Sequence, residues 1–430
     1  MPWVGAKGFA SDTLETALSC YTPEGGRGSI RRLLEIRDIG AGCCPWWQCL
    51  FKREIVIVTS PDVVDTTSKL IGLDSQSHVS NIGVADYIEG LVAPAATRLE
   101  RIEYVDRVGV RKVSLVAQFG EGGGGLALSA HMDTVPGLGW CGDPFKAKIV
   151  GDRLYGLGAC DMKGPLAATL VAAFSYACRG VEKPLVLLLS ADEETDTEGA
   201  IKIAQESKIL ADVGPEYCII AEPTDLRVAN AHKAAVTFSA TTAGRAAHSS
   251  TGQGLNANIS MIPFIHEMWG LHKELTGNED HWDTHFEPPY PDWNIVIDNF
   301  GTAPNVTVPK SQCTVNFRYT PRLDPEPIIR RVEESASANG VDLTYWSSGD
   351  PLYTPEDSPL VQLALELAGE HEPVNVPYRT DACIFASTFP CVVFGAGSHR
   401  QAHNVDEWVS VAQLHRSVQF YEDAIARVCS

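Results

Sequence analysis

The fold of this chain is decided by the stretch GLALSAHMDTVP at residues 125–136, in which an apolar run ends in His131 and Asp133. Two further apolar runs, LVLLL at residues 185–189 and YCII at residues 217–220, also end shortly before acidic residues. Short runs of this kind are typical of strands that are buried on both faces of a sheet. We therefore expect an α/β fold whose polar residues lie where its strands end.

Helical patterns separate these runs. The alanine-rich segment GPLAATLVAA at residues 164–173 predicts a helix with a proline in its first turn. Helical patterning also begins near Pro61 and recurs at residues 81–91. Strands that alternate with helices predict a mostly parallel sheet, and such a sheet binds its ligands beyond the carboxyl ends of the strands.

The character of the sequence changes near residue 230. The patterns that follow predict the order β-α-β-β-α-β, with segments at residues 234–241, 258–274, 293–297, 311–319, 325–338 and 341–346. The α/β pattern then resumes with a helix at 359–369 and a strand at 391–394. We predict a main domain of residues 59–229 and 347–430, into which residues 230–346 are inserted as an α+β domain of ferredoxin-like order.

The bulk properties exclude several classes of partner. The chain has 430 residues, which is too long for one ordinary core and predicts two domains. Its net charge is −20, from 34 basic and 54 acidic residues. Nucleic acids and anionic membranes bind basic surfaces, so this charge argues against both. We see no run near the roughly 20 apolar residues of a membrane span, and no secretory signal.

The cysteines and the first residues carry weaker predictions. Eight of the twelve cysteines are scattered singly, several within apolar runs, which is typical of buried residues in a reducing compartment and predicts a cytoplasmic protein. Cys43, Cys44 and Cys49 have no partner pair at zinc-finger spacing, so no finger is expected. Residues 1–58 lack a helical or strand period, and we predict an atypical, poorly ordered extension.

Seven acidic and imidazole groups lie at the ends of the predicted elements. They are His131, Asp133, Asp161, Glu193, Glu194, Glu222 and His403. A single histidine at a strand end is more often structural than a metal ligand, and an acidic pair often begins a solvated helix. Five such groups at one predicted sheet edge favour a common site instead, and their residue types suit two divalent metal ions.

The chemistry of the side chains predicts how five of them share the ions. A carboxylate has two oxygens, and Asp161, which precedes the alanine-rich helix, fits a bridging role between two ions. His131 and Glu222 would then complete the ligands of one ion. Glu194 and His403 would complete those of the other ion, leaving open positions for a water molecule.

The two remaining carboxylates, Glu193 and Asp133, are expected to assist the reaction without binding metal. Glu193 adjoins a ligand but is not needed as one, so we expect it to act as the general base that deprotonates the water. Asp133 follows His131 by two residues and would accept the ring N–H of that histidine, which fixes its tautomer. Both roles require the groups to lie within hydrogen-bonding distance of the cluster.

Four strings carry a family resemblance: HMDTVP at 131–136, GACDMKG at 158–164, DEE at 192–194 and AEPT at 221–224. Together they resemble the zinc aminoacylase/carboxypeptidase family, which includes acetylornithine deacetylase and succinyl-diaminopimelate desuccinylase. The resemblance runs from about residue 60 to 430, and the first 58 residues have no counterpart in it. It implies a di-zinc peptidase-like domain, an inserted lid that forms homodimers, and hydrolysis of an amide next to a carboxylate in a small N-acylated amino acid. The same ligands also accept cobalt or manganese.

The resemblance extends to three residues of the inserted segment. AAHSS at 246–250 implies that His248 steadies the oxyanion in the partner subunit's site, although a surface histidine would look the same. GLNA at 254–257 implies that Asn256 contacts the substrate. NFR at 316–318 implies that Arg318 holds a substrate carboxylate with its bidentate fork, with a surface ion pair as the alternative.

The sequence predicts the class of enzyme more narrowly than it predicts the substrate. SHRQAH at 398–403 and HSS at 248–250 look nearer the deacetylase, whereas NFR at 316–318 resembles the desuccinylase branch. The leading interpretation is an N-acetylornithine deacetylase, and the alternatives are succinyl-diaminopimelate desuccinylation and dipeptide cleavage. A non-catalytic binding protein on the same scaffold is the remaining rival, and the presence of Glu193 and all five ligands argues against it.

Overall fold

The computed structural model describes residues 32–38, 53–59, 61–177 and 182–430. The described strands are β1 (Arg32–Asp38), β2 (Arg53–Thr59), β3 (Arg98–Val105), β4 (Arg111–Phe119), β5 (Leu126–His131), β6 (Lys148–Val150), β7 (Arg153–Tyr155), β8 (Leu185–Ser190), β9 (Tyr217–Ile220), β10 (Ala229–His232), β11 (Ala234–Ala243), β12 (Asp292–Asp298), β13 (Lys310–Tyr319), β14 (Asp342–Ser347), β15 (Val374–Val376), β16 (Cys391–Val393) and β17 (Trp408–Ser410).

The described α-helices are α1 (Val63–Ile71), α2 (Ile82–Val92), α3 (Lys163–Ala177), α4 (Glu198–Glu206), α5 (Lys208–Val213), α6 (Asn258–Gly277), α7 (Glu326–Asn339), α8 (Pro359–Ala368), α9 (Ala382–Phe385) and α10 (Val411–Val428). None of the helices in this part of the chain is long and apolar enough to cross a membrane.

Strands β1 and β2 pair with each other in antiparallel register and form a two-stranded sheet. The prediction that residues 1–58 lack strand structure is therefore wrong for these two segments. The sequence REIVIVT of β2 is rich in β-branched residues, which favour strands. The predicted poor order of the extension otherwise falls on residues outside the described ones.

The large sheet has the order β15-β10-β16-β9-β5-β8-β4-β3. Its centre is parallel, because β5 pairs in parallel with both β8 and β9, and β9 pairs in parallel with β16. At one side β4 and β3 are antiparallel additions, and at the other β10 is antiparallel to β16. The expectation of a mostly parallel α/β sheet is confirmed.

Helices cover both faces of the large sheet. Residues 185, 187 and 189 of β8 belong to a core with α1, α2, α3, α8 and α10, whereas residues 186 and 188 belong to a core with α4, α5 and α9. Every residue of β5 and β8 is buried. Each fully buried leucine of this kind contributes roughly 1.5–3 kcal/mol to folding, so the strand ends are firmly placed.

The segment between β10 and α8 forms a separate four-stranded sheet in the order β12-β13-β11-β14, with antiparallel neighbours throughout. With α6 and α7 it follows the predicted β-α-β-β-α-β order. Its own core includes Phe238, Phe264 and Val315. β13 alternates between buried and partly exposed residues, so one face of this sheet is available to contact a ligand. We call residues 234–347 the inserted segment.

Candidate metal centre

The carboxyl ends of four parallel strands place the predicted ligands at one edge of the large sheet. β5 ends at His131 itself, and β9 ends two residues before Glu222. β8 ends at residue 190, just before Glu193 and Glu194. His403 lies on the loop that follows β16. The edge therefore gathers side chains that are far apart in sequence, as the strand pattern predicts.

His131, Asp161 and Glu222 form the first group of donors. Nε2 of His131 lies 3.1 Å from Oδ1 of Asp161 and 3.6 Å from Oε1 of Glu222. The imidazole and both carboxylates are largely buried, with side-chain exposures of 1%, 14% and 5%. These distances suit neighbouring ligands of one ion, and the burial distinguishes the group from a surface ion pair.

His403 and Glu194 form the second group, again with Asp161. Nε2 of His403 lies 3.1 Å from Oε2 of Glu194 and 3.5 Å from Oδ2 of Asp161. Asp161 thus turns one oxygen toward His131 and the other toward His403. This is the arrangement that a bridging carboxylate requires.

The donors fit two divalent ions. Ligands held about 2.0–2.2 Å from a tetrahedral ion lie roughly 3.3 Å apart, and the spacings in both groups bracket that value. Oε1 of Glu194 is buried and has no hydrogen-bond partner in the described part of the chain. Burial raises the pKa of Glu194 to about 7 and that of Glu222 well above its usual range, and nearby Asp161 adds to both shifts. Cations would relieve this accumulation of buried acid groups.

Glu193 lies beside the cluster without belonging to the pairs above. One of its carboxylate oxygens lies within 4.8 Å of the candidate ligand atoms of His131 and Glu222, and its Oε1 is buried without a hydrogen-bond partner among the described residues. Burial raises the pKa of Glu193. A carboxylate in this position can reach a water held at the cluster, which is the geometry that a general base needs.

Asp133 differs in detail from its predicted role. Nδ1 of His131 lies 3.0 Å from the main-chain oxygen of Asp133 and 3.5 Å from its carboxylate, so the main-chain carbonyl is the nearer acceptor. The carboxylate instead accepts hydrogen bonds from Ser77 Oγ and from the backbone N–H groups of Glu193 and Glu194. Asp133 therefore orients His131 and also holds the loop of Glu193 and Glu194, which we call the glutamate loop.

A cavity of about 670 Å³ opens onto the cluster. Its walls come from the candidate ligands Asp161, Glu194, Glu222 and His403, from the inserted segment and from the loop that precedes α9. The inserted segment contributes Asp292, Asn294, Asn316 and Arg318. Arg318 therefore lies where the sequence predicts a substrate-binding residue.

His248 and Asn256 lie elsewhere. Both are exposed, and neither is among the described residues that line this cavity. Nδ1 of His248 lies 2.8 Å from Ser250 Oγ, and Oδ1 of Asn256 accepts a hydrogen bond from the N–H of Asn258. A role for His248 in a partner's site concerns an assembly of two chains and stays a prediction, as does the substrate contact of Asn256.

Sequence reasoning missed Glu407, which holds the loop that carries Asp161. Its buried carboxylate accepts hydrogen bonds from the N–H groups of Gly158, Cys160 and Asp161 at 2.7–2.8 Å. The group lies only four residues after His403, and that proximity was the available signal. Glu407 fixes the backbone from which Asp161 projects.

The fold and this cluster define a class of α/β hydrolases whose histidines and carboxylates lie at the carboxyl edge of the sheet. The model of peptidase family M20/M25/M40 matches residues 127–427. The chain belongs to this family, and it is a hydrolase that acts on amide bonds.

Curated relatives share about a third of their residues with the chain. An acetylornithine deacetylase of Buchnera aphidicola (subspecies Schizaphis graminum) is 32% identical over 328 residues, which cover 74% of this chain and 84% of that protein. An acetylornithine deacetylase of Myxococcus xanthus is 30% identical over 385 residues, or 86% and 98% of the two chains.

Solved structures agree on the fold. An M20-family metallo-carboxypeptidase of Sulfolobus solfataricus superposes with a TM-score of 0.66 at 16% identity, covering 85% of this chain and 98% of that one. A dinuclear metal-binding peptidase of the M20 family from Bacillus subtilis gives 0.58 at 15% identity, covering 85% and 97%. At these identities the likeness concerns the fold alone.

Proposed function

We propose that this protein removes the acyl group from the α-nitrogen of an amino acid, with N-acetyl-L-ornithine as its leading substrate. The observation that carries the proposal is the presence of Arg318 in the same cavity as the histidine and carboxylate cluster. A guanidinium group binds a carboxylate, and the cluster acts on an amide bond beside it. The acetylornithine deacetylases among its relatives support the choice of substrate.

We propose that two divalent ions, zinc first and cobalt or manganese as acceptable replacements, occupy the cluster. His131 and Glu222 would hold one ion, His403 and Glu194 the other, and Asp161 both. Bound there, the ions would polarise the amide carbonyl and lower the pKa of a water molecule toward neutrality.

The side chains around the cluster would carry the proton and orient the substrate. Glu193 accepts the proton of the attacking water and returns it to the amide nitrogen, which leaves as the free amine. Arg318 holds the substrate carboxylate so that the scissile amide faces Glu193. Asp133 keeps His131 in place through its main-chain oxygen, and it keeps Glu193 in place by accepting a hydrogen bond from the backbone N–H of that residue.

We further propose that two copies associate through the inserted segment. α6 carries the exposed apolar residues Ile259, Ile262 and Trp269. β12 is the outer strand of its sheet and exposes Val296 and Ile297. An apolar helix face beside an open strand edge suits a symmetric contact between copies. In such a dimer His248 would reach the partner's cavity and steady the developing oxyanion.

The cellular setting belongs to the same proposal. All seven cysteines in the described residues are free, and six of them are buried. Free buried cysteines are typical of a reducing compartment, so we place the enzyme in the cytoplasm. The net charge of −20 argues against nucleic acid or a membrane surface as a partner.

An amine-release assay on metal-loaded protein tests the proposal. N-acetyl-L-ornithine, N-succinyl-L,L-diaminopimelate, N-acetyl-L-methionine and a dipeptide are compared, each with and without a chelator. Chelator-sensitive release that is fastest from N-acetyl-L-ornithine is expected. Faster release from the succinyl compound or the dipeptide would replace the proposed substrate, and no release from protein with two ions bound would overturn the proposed reaction.

A further inference from the structure

A second arginine, Arg379, lines the same cavity as Arg318. It lies on the loop between β15 and α9, whereas Arg318 belongs to β13 of the inserted segment. The two guanidinium groups are close enough that Arg379 adds to the effect of burial in lowering the pKa of Arg318. Two like charges that face one cavity repel each other unless an anion lies between them.

Arg379 is held in place by the main chain of the glutamate loop. Its Nη2 donates hydrogen bonds to the backbone oxygens of Glu193 and Thr195. The guanidinium carbon lies 5.2 Å from the ring centre of Trp346 in β14. The side chain is only 11% exposed, so its orientation is fixed before any ligand arrives.

Both guanidinium groups retain unused donors. Nη1 of Arg379 is buried and has no hydrogen-bond partner among the described residues. Within the same residues, the one hydrogen bond from the Arg318 side chain runs from Nε to Asn316 Oδ1, at 3.3 Å. A buried donor without a partner is unfavourable, so a ligand that accepted hydrogen bonds from these groups would be stabilised there.

The two nearby acidic groups, Asp292 and Glu193, form no hydrogen bond with the unused donors in the described part of the chain. Asp292 also lines the cavity, but its Oδ2 accepts a hydrogen bond from the fully buried Lys233 at 3.0 Å. Glu193 Oε1 lies 4.0 Å from Nη2 of Arg379, which is too far for a hydrogen bond, and a carboxylate oxygen of Glu193 lies within 4.8 Å of the candidate ligand atoms of His131 and Glu222. The unused donors of the two arginines therefore call for an anion from outside the chain.

We infer that Arg379 is a second specificity-determining residue, which together with Arg318 binds one and the same carboxylate of the substrate. The inference rests on the proposed deacylation, because the substrates of that reaction carry an α-carboxylate next to the scissile amide. A carboxylate has two oxygens and about four acceptor positions, so it can take donors from two guanidinium groups. Bound in this way, it joins the inserted segment to the loop before α9.

Steady-state kinetics on paired substrates test this assignment. N-acetyl-L-ornithine is compared with its α-carboxamide, which keeps the amide bond and removes the charge. For Arg379→Met we expect kcat/KM on the acid to fall roughly 10- to 150-fold, the range for a hydrogen bond to a charged group, with little change on the carboxamide. Arg379→Lys should restore part of the loss, and Arg416→Met, on the exposed side of α10, is the matched control.

Two outcomes would overturn the assignment. Equal losses on the acid and the carboxamide would mean that Arg379 acts only by supporting the glutamate loop. The second test is the double variant Arg318→Met with Arg379→Met: a shared carboxylate predicts that it loses much less than the product of the single losses. Independent, multiplying losses would mean that the two arginines bind different groups.

A binding measurement can distinguish failure of this inference from failure of the proposed reaction. Calorimetry compares L-ornithine with L-ornithinamide on metal-loaded wild-type and Arg379→Met protein. A preference for the free carboxylate that disappears in Arg379→Met supports the inference even if none of the acyl substrates is hydrolysed, in which case the proposed function alone fails. Turnover of N-acetyl-L-ornithine without any such preference would leave the function standing and refute the role of Arg379.

Discussion

The carboxyl edge of the large sheet and the inserted segment contribute to the site in different ways. At the sheet edge, the candidate site residues follow strands such as β5 and β8 that are buried along their whole length, so packing fixes the strand ends from which His131 and the loop of Glu193 and Glu194 project. In the inserted segment, Arg318 lies on a half-exposed face, and His248 and Asn256 are exposed. The proposed reactive groups therefore project from the buried core of one chain, whereas His248 and Asn256 lie at exposed positions of the inserted segment.

The largest effect on kcat should come from changing Glu193 at the sheet edge. Glu193→Gln removes the proposed proton acceptor and keeps the shape of the side chain, so we expect kcat to fall roughly 10²- to 10⁴-fold, the usual contribution of a general base. Metal content by mass spectrometry should be unchanged, because Glu193 is not a proposed ligand. Glu121→Gln, in an exposed loop, is the matched control. Near-normal turnover in Glu193→Gln would mean that another group takes the proton.

The next largest effect on kcat should come from His248, and it should depend on the association of two chains. His248→Ala removes a proposed oxyanion donor, a change that typically costs about 10²- to 10³-fold in kcat, while the fold and the metals remain intact. Mixing His248→Ala and Glu193→Gln chains should restore about a quarter of wild-type activity if the chains exchange at random in a dimer. Activity that stays at the level of the separate variants, despite verified chain exchange, would argue against a role across the subunit boundary.

A smaller effect, on metal affinity, is expected at Glu407, which contacts the backbone of the Asp161 loop. Glu407→Gln leaves one carbonyl oxygen for the three N–H groups of the Asp161 loop, so the bridging carboxylate loses its fixed position. Partners of metal ligands typically change metal affinity by about 10- to 100-fold when removed. Chelator competition measures this affinity, with the exposed neighbour Asp406→Asn as control. Unchanged affinity would show that the loop keeps its shape without Glu407.

The smallest effect should come from Asn256. Its side chain is exposed and bonds only locally, to the N–H of Asn258 in the described structure. If Asn256 contacts the substrate, Asn256→Ala should raise KM by roughly 2- to 12-fold, as for one ordinary hydrogen bond. Ser249→Ala on the same exposed loop region provides the comparison. A KM equal to that of the wild type would remove Asn256 from the substrate site.

The same contrast explains how much the sequence could predict. β5, β8, β9 and β16 are each continuous apolar runs, and the acidic or imidazole group that follows each of them was therefore recognisable. The β-α-β-β-α-β order of the inserted segment was likewise visible in its alternating patterns. These features depend on local periodicity, which a sequence displays directly.

Other features depend on contacts that local periodicity does not display. β3 and β4 form the antiparallel side of the large sheet, yet β3 carries charged residues at many positions and does not look like a sheet strand. Glu407 and Arg379 are single polar residues whose roles arise from backbone groups far away in sequence. Asp133 was placed correctly beside His131, but the nearer acceptor is its main-chain oxygen, which side-chain chemistry does not reveal.

Metal content measured together with activity tests whether the sheet edge holds two metal ions on which hydrolysis depends. Protein is stripped with a chelator, metal is returned stepwise, and bound metal per chain is compared with amine release, for the wild type and for Asp161→Asn. We expect the wild type to bind two ions per chain and to regain activity as they bind, whereas Asp161→Asn, with its bridge weakened, fails to hold both. Full activity in metal-free protein, or no specific binding at this edge, would contradict the account.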